Sequence, residues 1–487
     1  MIITDTQLTV ANIKNNSGMT TDEIIKSETD LWLSSRAREN QLLGEAYYRV
    51  NGEGVEILKK EQKLPKRSNI KRVHPFVREL TDQKVGYLLA NDPEVATDNA
   101  RYKEALDKVM DKRFMRLLMR TVKDVVKCGM AYWQPYFNSE GGLAFKRLKP
   151  WEVKPLWLDD DHEKLGGFIR VWEREEYVSR QKKAVRYVTY GDDKCFRHYR
   201  YEEGGTRFEP IGTEPHFCLV TQKGGKEAKA PYKWGRAPLV YWKANAEEQG
   251  IVEQLKSLVD DYDRQASKNS DLLADLAQLV WIIKGYGGQN LGSFMDDLLR
   301  YMALKVDGDG GVDTIKMEPD TDAVAELLAR TRQDLYQFGR GVDTQNEDLG
   351  NASGQAIRFR YGNLDLDSSI IESELQASFE IVEWFIQQAL LLTGQGDFTS
   401  EDAQIVFHRD TIINEKEIVE ICAKSKGVIS DKTIMEHHPW AAEDEGERLA
   451  EQEADAMKRA EEYQNAFGLK AADGDGAGAA AGQTQAA

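Results

Sequence analysis

Four consecutive residues, Asp159-Asp160-Asp161-His162, bring together the ligand types that hold Mg²⁺ in a nuclease. Neighbours on a strand point to alternate faces, so the run converges poorly on one ion and reads as a solvated turn. Gly285, Gly287 and Gly288 suggest a dinucleotide turn, yet Asn290 stands where GxGxxG has its last glycine. Gly225-Lys226 is followed by Glu227, and Val220 occupies the place of a phosphate loop's first glycine, so there is no Walker A cradle. No GxSxG occurs, and His74, His162, His198, His216, His408, His437 and His438 show no HExxH spacing. His437-His438-Pro439 is no better a ligand set. The cysteines, Cys128, Cys195, Cys218 and Cys422, are too far apart for CxxC pairs and read as reduced core thiols. The chain is therefore expected to have no catalytic residues, no metal and no cofactor.

The strongest functional candidate is a polar stretch, Gly339 to Gly354, whose glycines at 339, 341, 350 and 354 permit backbone change without strain. The elements on either side must position it. Before it, Pro319 opens a helix through Leu327, Leu328 and Leu335 to Phe338; after it, residues 355 to 392 read as one long helix. An apolar stripe at Ile371, Leu375, Phe379, Val382, Phe385 and Ile386 marks that second helix. Upstream, Glu247 to Leu279 has no proline and no glycine after Gly250, which predicts another long helix with a polar interval at Arg264 to Asp271. A small unit separates these helices: a strand at 279–284, the glycine-rich turn, a short helix near 291–301 and a strand pair across Asp307 to Gly311.

Towards the amino terminus, helices are expected at Thr21–Tyr48, Val73–Leu89 and Phe114–Val126, with the basic run Lys59–Arg72 as a solvated face. From Met130 to about Tyr241, aromatic and β-branched runs broken by glycine predict antiparallel sheet. Beyond the long helix come a strand at Ala403–His408, a helix over 413–430 and an acidic helix from Glu443 to Phe467. Residues 471–487, rich in Ala and Gly, are expected to be disordered.

The chain has 487 residues, long enough for several lobes, and no apolar stretch suited to a membrane span or a secretory signal, so a cytoplasmic origin is expected. Its net charge is −17, from 82 acidic and 65 basic residues. Tight DNA binding relies on Lys and Arg displacing counterions, so that balance suits a repressor badly and a surface past which DNA slides well.

Several runs resemble portal proteins of tailed bacteriophages, in the branch typical of siphophages of Gram-positive hosts. Lys84-Val85-Gly86-Tyr87-Leu88-Leu89, Lys127 to Trp133 and Trp234-Gly235-Arg236-Ala237-Pro238 carry part of the likeness. More specific are Leu258-Val259-Asp260-Asp261-Tyr262-Asp263, Trp281 to Leu291, Gly310-Gly311-Val312-Asp313, Tyr336 to Gly341 and Ile357-Arg358-Phe359-Arg360-Tyr361. The resemblance implies an α+β portal fold of wing, helical stem, small β clip and helical crown, assembling as a ring of twelve. Its divisions would be wing 1–245, stem helix 246–278, clip 279–318, second stem helix 319–338, tunnel loop 339–354, wing helix and return strand 355–409, and crown 410–470. It also implies a non-enzymatic conduit at the capsid vertex for packaging and ejecting double-stranded DNA without sequence specificity. Partners would be the terminase large subunit, a head completion or adaptor protein, and the major capsid and scaffolding proteins, with no membrane; the site would be the virion, and the host cytoplasm during assembly.

Within that frame, Arg340, Asp343, Gln345, Asn346 and Asn351 would face DNA in the tunnel loop, with Glu347 and Asp348 keeping adhesion low. Lys284, Tyr286, Gln289 and Asn290 would dock partners on the clip, and Asp260, Tyr262, Asp263 and Arg330 belong to the stem. Asn351-Ala352-Ser353-Gly354 departs from the Thr-Asn pair of some relatives, and nothing after Asp410 matches family wording. Another ring-forming connector, or less readily a packaging nuclease, would fit the composition too.

Overall fold

The computed structural model describes residues 18–52, 54–61, 68–178, 181–201, 207–223, 226–275, 280–284, 292, 311–315, 321–345, 354–409, 415–442 and 444–466. The chain divides into two compact units: Met1–Asn351 with Arg358–Thr411, and Ala352–Ile357 with Ile412–Ala487.

The first helical stretch is two helices, α1 (Thr21–Leu33) and α2 (Arg36–Arg49), where the sequence suggests one. Ser34 and Ser35 explain the break, because their hydroxyls serve the backbone better outside a helix than within one. Ser35 accepts from the Arg38 amide as the N-cap of α2, and the Ser34 hydroxyl donates to the Asp30 carbonyl. Thr20 and Glu23 form a capping box at the start of α1.

The chain continues through α3 (Phe76–Leu88), β1 (Glu94–Ala96), α4 (Ala100–Val109) and α5 (Lys112–Cys128). Helix α5 turns one face, with Phe114, Leu118, Val122 and Val125, into the main core. Gly129 then ends it at φ 82°, where a Cβ would lie 2.0 Å from the Glu248 carbonyl oxygen.

Antiparallel sheet follows, as the aromatic and β-branched runs predict. Strands β2 (Met130–Phe137) and β3 (Leu143–Leu148) precede a five-stranded meander of β4 (Val153–Trp157), β5 (Leu165–Val178), β6 (Gln181–Gly191), β7 (Phe196–Tyr201) and β8 (Phe208–Glu214). Next come the hairpin β9 (Phe217–Lys223) and β10 (Lys226–Tyr232), then β11 (Val240–Lys243), which pairs with β2. Trp133 of β2 and Trp242 of β11, both fully buried, meet at 4.7 Å between ring centroids. The meander has its own core, where Ile169, Val171, Val188 and Tyr199 close on Ile25 and Trp32 of α1.

Three long helices complete this unit: α6 (Ile251–Asp275), α7 (Thr321–Phe338) and α8 (Gly354–Leu392), the last spanning residues of both units. Helices α6 and α7 pack side by side. Between them in sequence, β12 (Val280–Lys284) pairs antiparallel with β13 (Gly311–Ile315). Residues 307–310 of the expected strand pair lie outside the described residues, and Gly311 opens β13. All six stripe residues of α8 are buried. The return strand is β14 (Gln404–Val406), and its partner is β1.

The second unit contains α9 (Glu415–Ser425), α10 (Asp431–His437) and α11 (Glu445–Ala466). The expected 413–430 helix stops at Ser425, and Gly427, at φ 86°, precedes a new start that Ser430 caps. Residues 446–460 of α11 are exposed throughout.

Candidate functional site

Helix α6 is built for contact on a second face, and the reason is a four-residue spacing. Asp263, Ser267, Asp271 and Asp275 fall on one side of it, one per helical turn. Each accepts a main-chain N–H from the segment that precedes α3. The His74 amide donates to Asp263 Oδ1 (3.0 Å), Arg72 to Ser267 Oγ (3.0 Å), Ile70 to Asp271 Oδ1 (2.6 Å) and Ser68 to Asp275 Oδ1 (3.0 Å). Lys60 adds an ion pair to Asp271. The basic run from Lys59 is therefore a strap along α6 in its described parts, not only a solvated face, and the polar interval of α6 is what receives it.

Asp263 is the most enclosed of these, 1% exposed, and its Oδ1 also lies 2.7 Å from His74 Nδ1. Burial pushes its carboxyl up, against the lowering effect of the His74 hydrogen bonds. Tyr262 packs edge-on against His74 and Phe76, at centroid distances of 4.7 and 5.0 Å. Asp260 accepts from the Tyr47 hydroxyl and from Lys256 Nζ at 2.5 Å. These three candidates therefore join the helix to its own unit. Arg330 is exposed on α7.

At the end of α7 the polar stretch begins with an anchor. Arg340 sits in the left-handed region, φ 49°, a conformation costly to a residue with a Cβ and held here by contacts on three elements. Its Nη1 lies 3.0 Å from Asp367 Oδ1 on α8, while the other oxygen of that carboxylate lies 2.5 Å from Lys84 Nζ on α3. One carboxylate thus ties two cations. Lys84 is 4% exposed, and burial lowers its pKa despite Asp367.

The next residues are fixed to α3 as well. Gln83 clamps Val342 from both sides, donating to its carbonyl at 2.9 Å and accepting from its amide at 2.8 Å. Val342 is buried beside Tyr87 and Leu364. Asp343 accepts two bonds from Arg332 of α7, at 2.8 and 2.9 Å, and its Oδ1 also takes the Gln345 amide. That guanidinium holds the Asp343 carboxyl below its ordinary range. Arg332 also reaches the Tyr336 hydroxyl, which donates to Glu79 of α3 at 2.6 Å.

Gly339 and Gly341 are required here by close approach. A Cβ at 341 would meet Leu80 Cδ2 at 2.2 Å and Gln83 Oε1 at 2.8 Å; at 339 it would meet Leu80 Cδ1 at 2.6 Å. The first seven residues of the stretch, 339–345, are consequently a seated turn, and freedom to change shape is not what these two glycines supply.

Of the residues singled out from sequence, Arg340, Asp343 and Gln345 come together in this anchor. Asn346, Glu347, Asp348 and Asn351 lie outside the described residues, as do Tyr286, Gln289, Asn290 and the 471–487 tail; Lys284 ends β12, and only its backbone is described. Sequence reasoning missed Lys84, Asp367, Gln83 and Arg332. Lys84 and Asp367 were visible as charges within otherwise apolar helix faces, but their partners are 283 positions apart.

Elsewhere, Asp159-Asp160-Asp161-His162 forms the turn between β4 and β5. Asp159 Oδ1 accepts the amides of Glu163 and Lys164, and His162 pairs with Glu248 at 2.6 Å. Among the described residues, no group of three or more His, Cys, Asp and Glu could hold a metal ion, and no helix is long and apolar enough to cross a membrane.

The family model described as phage portal protein, SPP1 Gp6-like, matches residues 35–465. A portal protein of Bacillus phage SPP1 is 29% identical over 413 residues, covering 84% of this chain and 80% of that protein. A portal protein of Clostridium phage phiCD119 is 26% identical over 469 residues, covering 91% of this chain and 99% of that protein. A solved structure described as the neck of a native GTA particle computed with C12 symmetry aligns with a TM-score of 0.39 at 10% identity, covering 74% of this chain and 88% of that one.

Proposed function

Because the chain belongs to the SPP1 Gp6-like family of phage portal proteins, we propose that it is the portal subunit of a tailed bacteriophage, a virion component that forms the channel at the capsid vertex. The match over residues 35–465 carries this reading, since it takes in the helix pair, the unit between them and the anchored turn together. The subunits form a closed ring, twelvefold in this proposal, through which double-stranded DNA is packaged and ejected.

In that ring α6 and α7 are the stem, β12 and β13 belong to the clip, and residues beyond 410 form the crown. The wing comprises the helices and sheets before 245 together with α8 and β14. The clip, through Lys284, Tyr286, Gln289 and Asn290, meets the terminase large subunit and a head completion protein; other surfaces meet capsid and scaffolding proteins. The subunit offers a passage and a docking surface, and ATP hydrolysis and DNA cutting belong to separate partners.

The anchored turn refines where the tunnel loop works. Residues 339–345 seat it on α3 and α8, so contact with passing DNA falls to residues 346–353, including Asn346 and Asn351, while Arg340 works from the base. The acidic surface charge keeps adhesion of the duplex low.

Two measurements test the reading. Negative-stain images of the purified chain should show turbine-like rings with a central hole; monomers or plain dimers would overturn the portal assignment. Deleting Asn346–Leu349, which leaves the anchor whole, should impair packaging with rings intact, and undiminished packaging would overturn the tunnel-loop assignment.

A further inference from the structure

Helices α4 and α5 are basic in a chain that is acidic as a whole. Residues 100–123 hold eight Lys or Arg against Glu104, Asp107 and Asp111. Three of those cations, Arg113, Arg116 and Arg120, are exposed on α5 and border a groove of about 720 Å³ whose other walls are the β2–β3 turn and the end of α8. Of the other cations on these helices, Lys108 pairs with Glu104 and Lys123 with Asp82. No ion pair involves Arg113, Arg116 or Arg120 among the described residues.

The groove floor is apolar, supplied by Leu117, Phe145 and Leu390. Of its two carboxylates, Asp111 is occupied in capping α5, accepting from the Arg113 and Phe114 amides at 2.9 and 3.0 Å. The other, Glu140, sits in the β2–β3 turn. The arginines therefore set the charge of the long wall, over about 10 Å of helix.

We propose that this groove is a docking site for an acidic, amphipathic helical segment of another protein. Charge complementarity and the floor jointly select that occupant. Carboxylates flanking an apolar stripe would pair with the arginines while two or three apolar side chains fill the floor, the usual mode of a helix in a groove. A DNA duplex satisfies the charge alone, being too wide to reach Leu117 or Phe145 and having nothing apolar to offer them. The inference does not depend on the tunnel-loop reading, since the groove shares no residue with the anchor at 339–345.

Fluorescence anisotropy on the full-length chain tests it, with three labelled probes. One is an acidic peptide of about five helical turns with leucines spaced i, i+3, i+4, i+7 and glutamates on the flanks. The second has lysine in place of each glutamate, and the third is a short DNA duplex. The acidic peptide should bind, weaken as salt rises, and lose at least about tenfold in affinity against the variant R113E/R116E/R120E. Those arginines are exposed, so that variant should keep its circular dichroism spectrum. A second variant, L117A, should weaken the acidic peptide severalfold with no change in its salt dependence. Equal binding of the acidic and basic peptides, no binding of the acidic peptide, or tighter binding of the duplex would each overturn the proposal.

Discussion

Replacing Asp367 by Asn tests whether one carboxylate holds the turn after α7 in place. Wild-type Asp367 compensates the 4%-exposed Lys84 ammonium at 2.5 Å and the Arg340 guanidinium at 3.0 Å. An amide cannot replace that charge, so Lys84 would keep only neutral acceptors, the amide oxygen and the Arg340 carbonyl at 3.4 Å, with the guanidinium repelling it. Removing one partner of a buried pair costs about 3–5 kcal/mol. The Asp367 side chain is 22% exposed, which lets water share the compensation and favours the lower end, about 3 kcal/mol. The assay is urea unfolding at fixed protein concentration, followed by tryptophan fluorescence, alongside hydrogen exchange at the Val342 amide. Asp367→Asn should lose about 3 kcal/mol and exchange Val342 faster. Lys84→Met combined with Asp367→Asn should recover about 2 kcal/mol of that loss, since the orphaned charge is gone. A cost below about 0.5 kcal/mol, or a double variant no more stable than Asp367→Asn, would refute the reasoning.

Two more outcomes follow from other contacts. Gly341→Ala places a methyl 2.2 Å from Leu80 Cδ2, so it should destabilise by about 2 kcal/mol in the same unfolding assay, and pairing it with Leu80→Ala should relieve part of the cost. Glu383, buried on α8 beneath Tyr102 and Gln387, has its carboxyl pushed by burial from the usual 4.5 up to about 7. Folding thus favours its protonated form; that contribution is complete below about 4.5 and is lost as pH rises through about 7, a change of roughly 2–3 kcal/mol. Glu383→Gln should flatten the stability profile across that window, as thermal unfolding from pH 4.5 to 8 would show; an unchanged slope would contradict the assignment.

Much of the architecture was legible because it is written in local periodicity. The stripe of α8, the sheet-forming aromatic runs after Met130 and the helix pair around the small β unit all follow from spacing within a few turns or strands. The break at Ser34-Ser35 was obscured because the apolar pattern runs on through it while two hydroxyls cap the ends. The site was less legible. Arg340 and Asp343 were identifiable as loop charges, but their roles depend on Asp367, Arg332 and Lys84, which the fold brings together from distant positions. Gly339 and Gly341 signalled special backbone, and the sequence could not distinguish freedom from tight packing; Leu80 and Gln83 decide it.

The ladder on α6 has a consequence for how this region tolerates change. Asp263, Ser267, Asp271 and Asp275 grip the strap before α3 through its amide groups, and every residue except proline presents one. The strap's side chains at 70 and 72 are thereby released from most of the burden of attachment and can drift in sequence, whereas the Ser68 hydroxyl also donates to Asp275 at 2.8 Å and the four acceptors must persist at their one-per-turn interval. Proline at 68, 70 or 72 would remove the donor outright, and a scan through 70 and 72 should show tolerance of everything else.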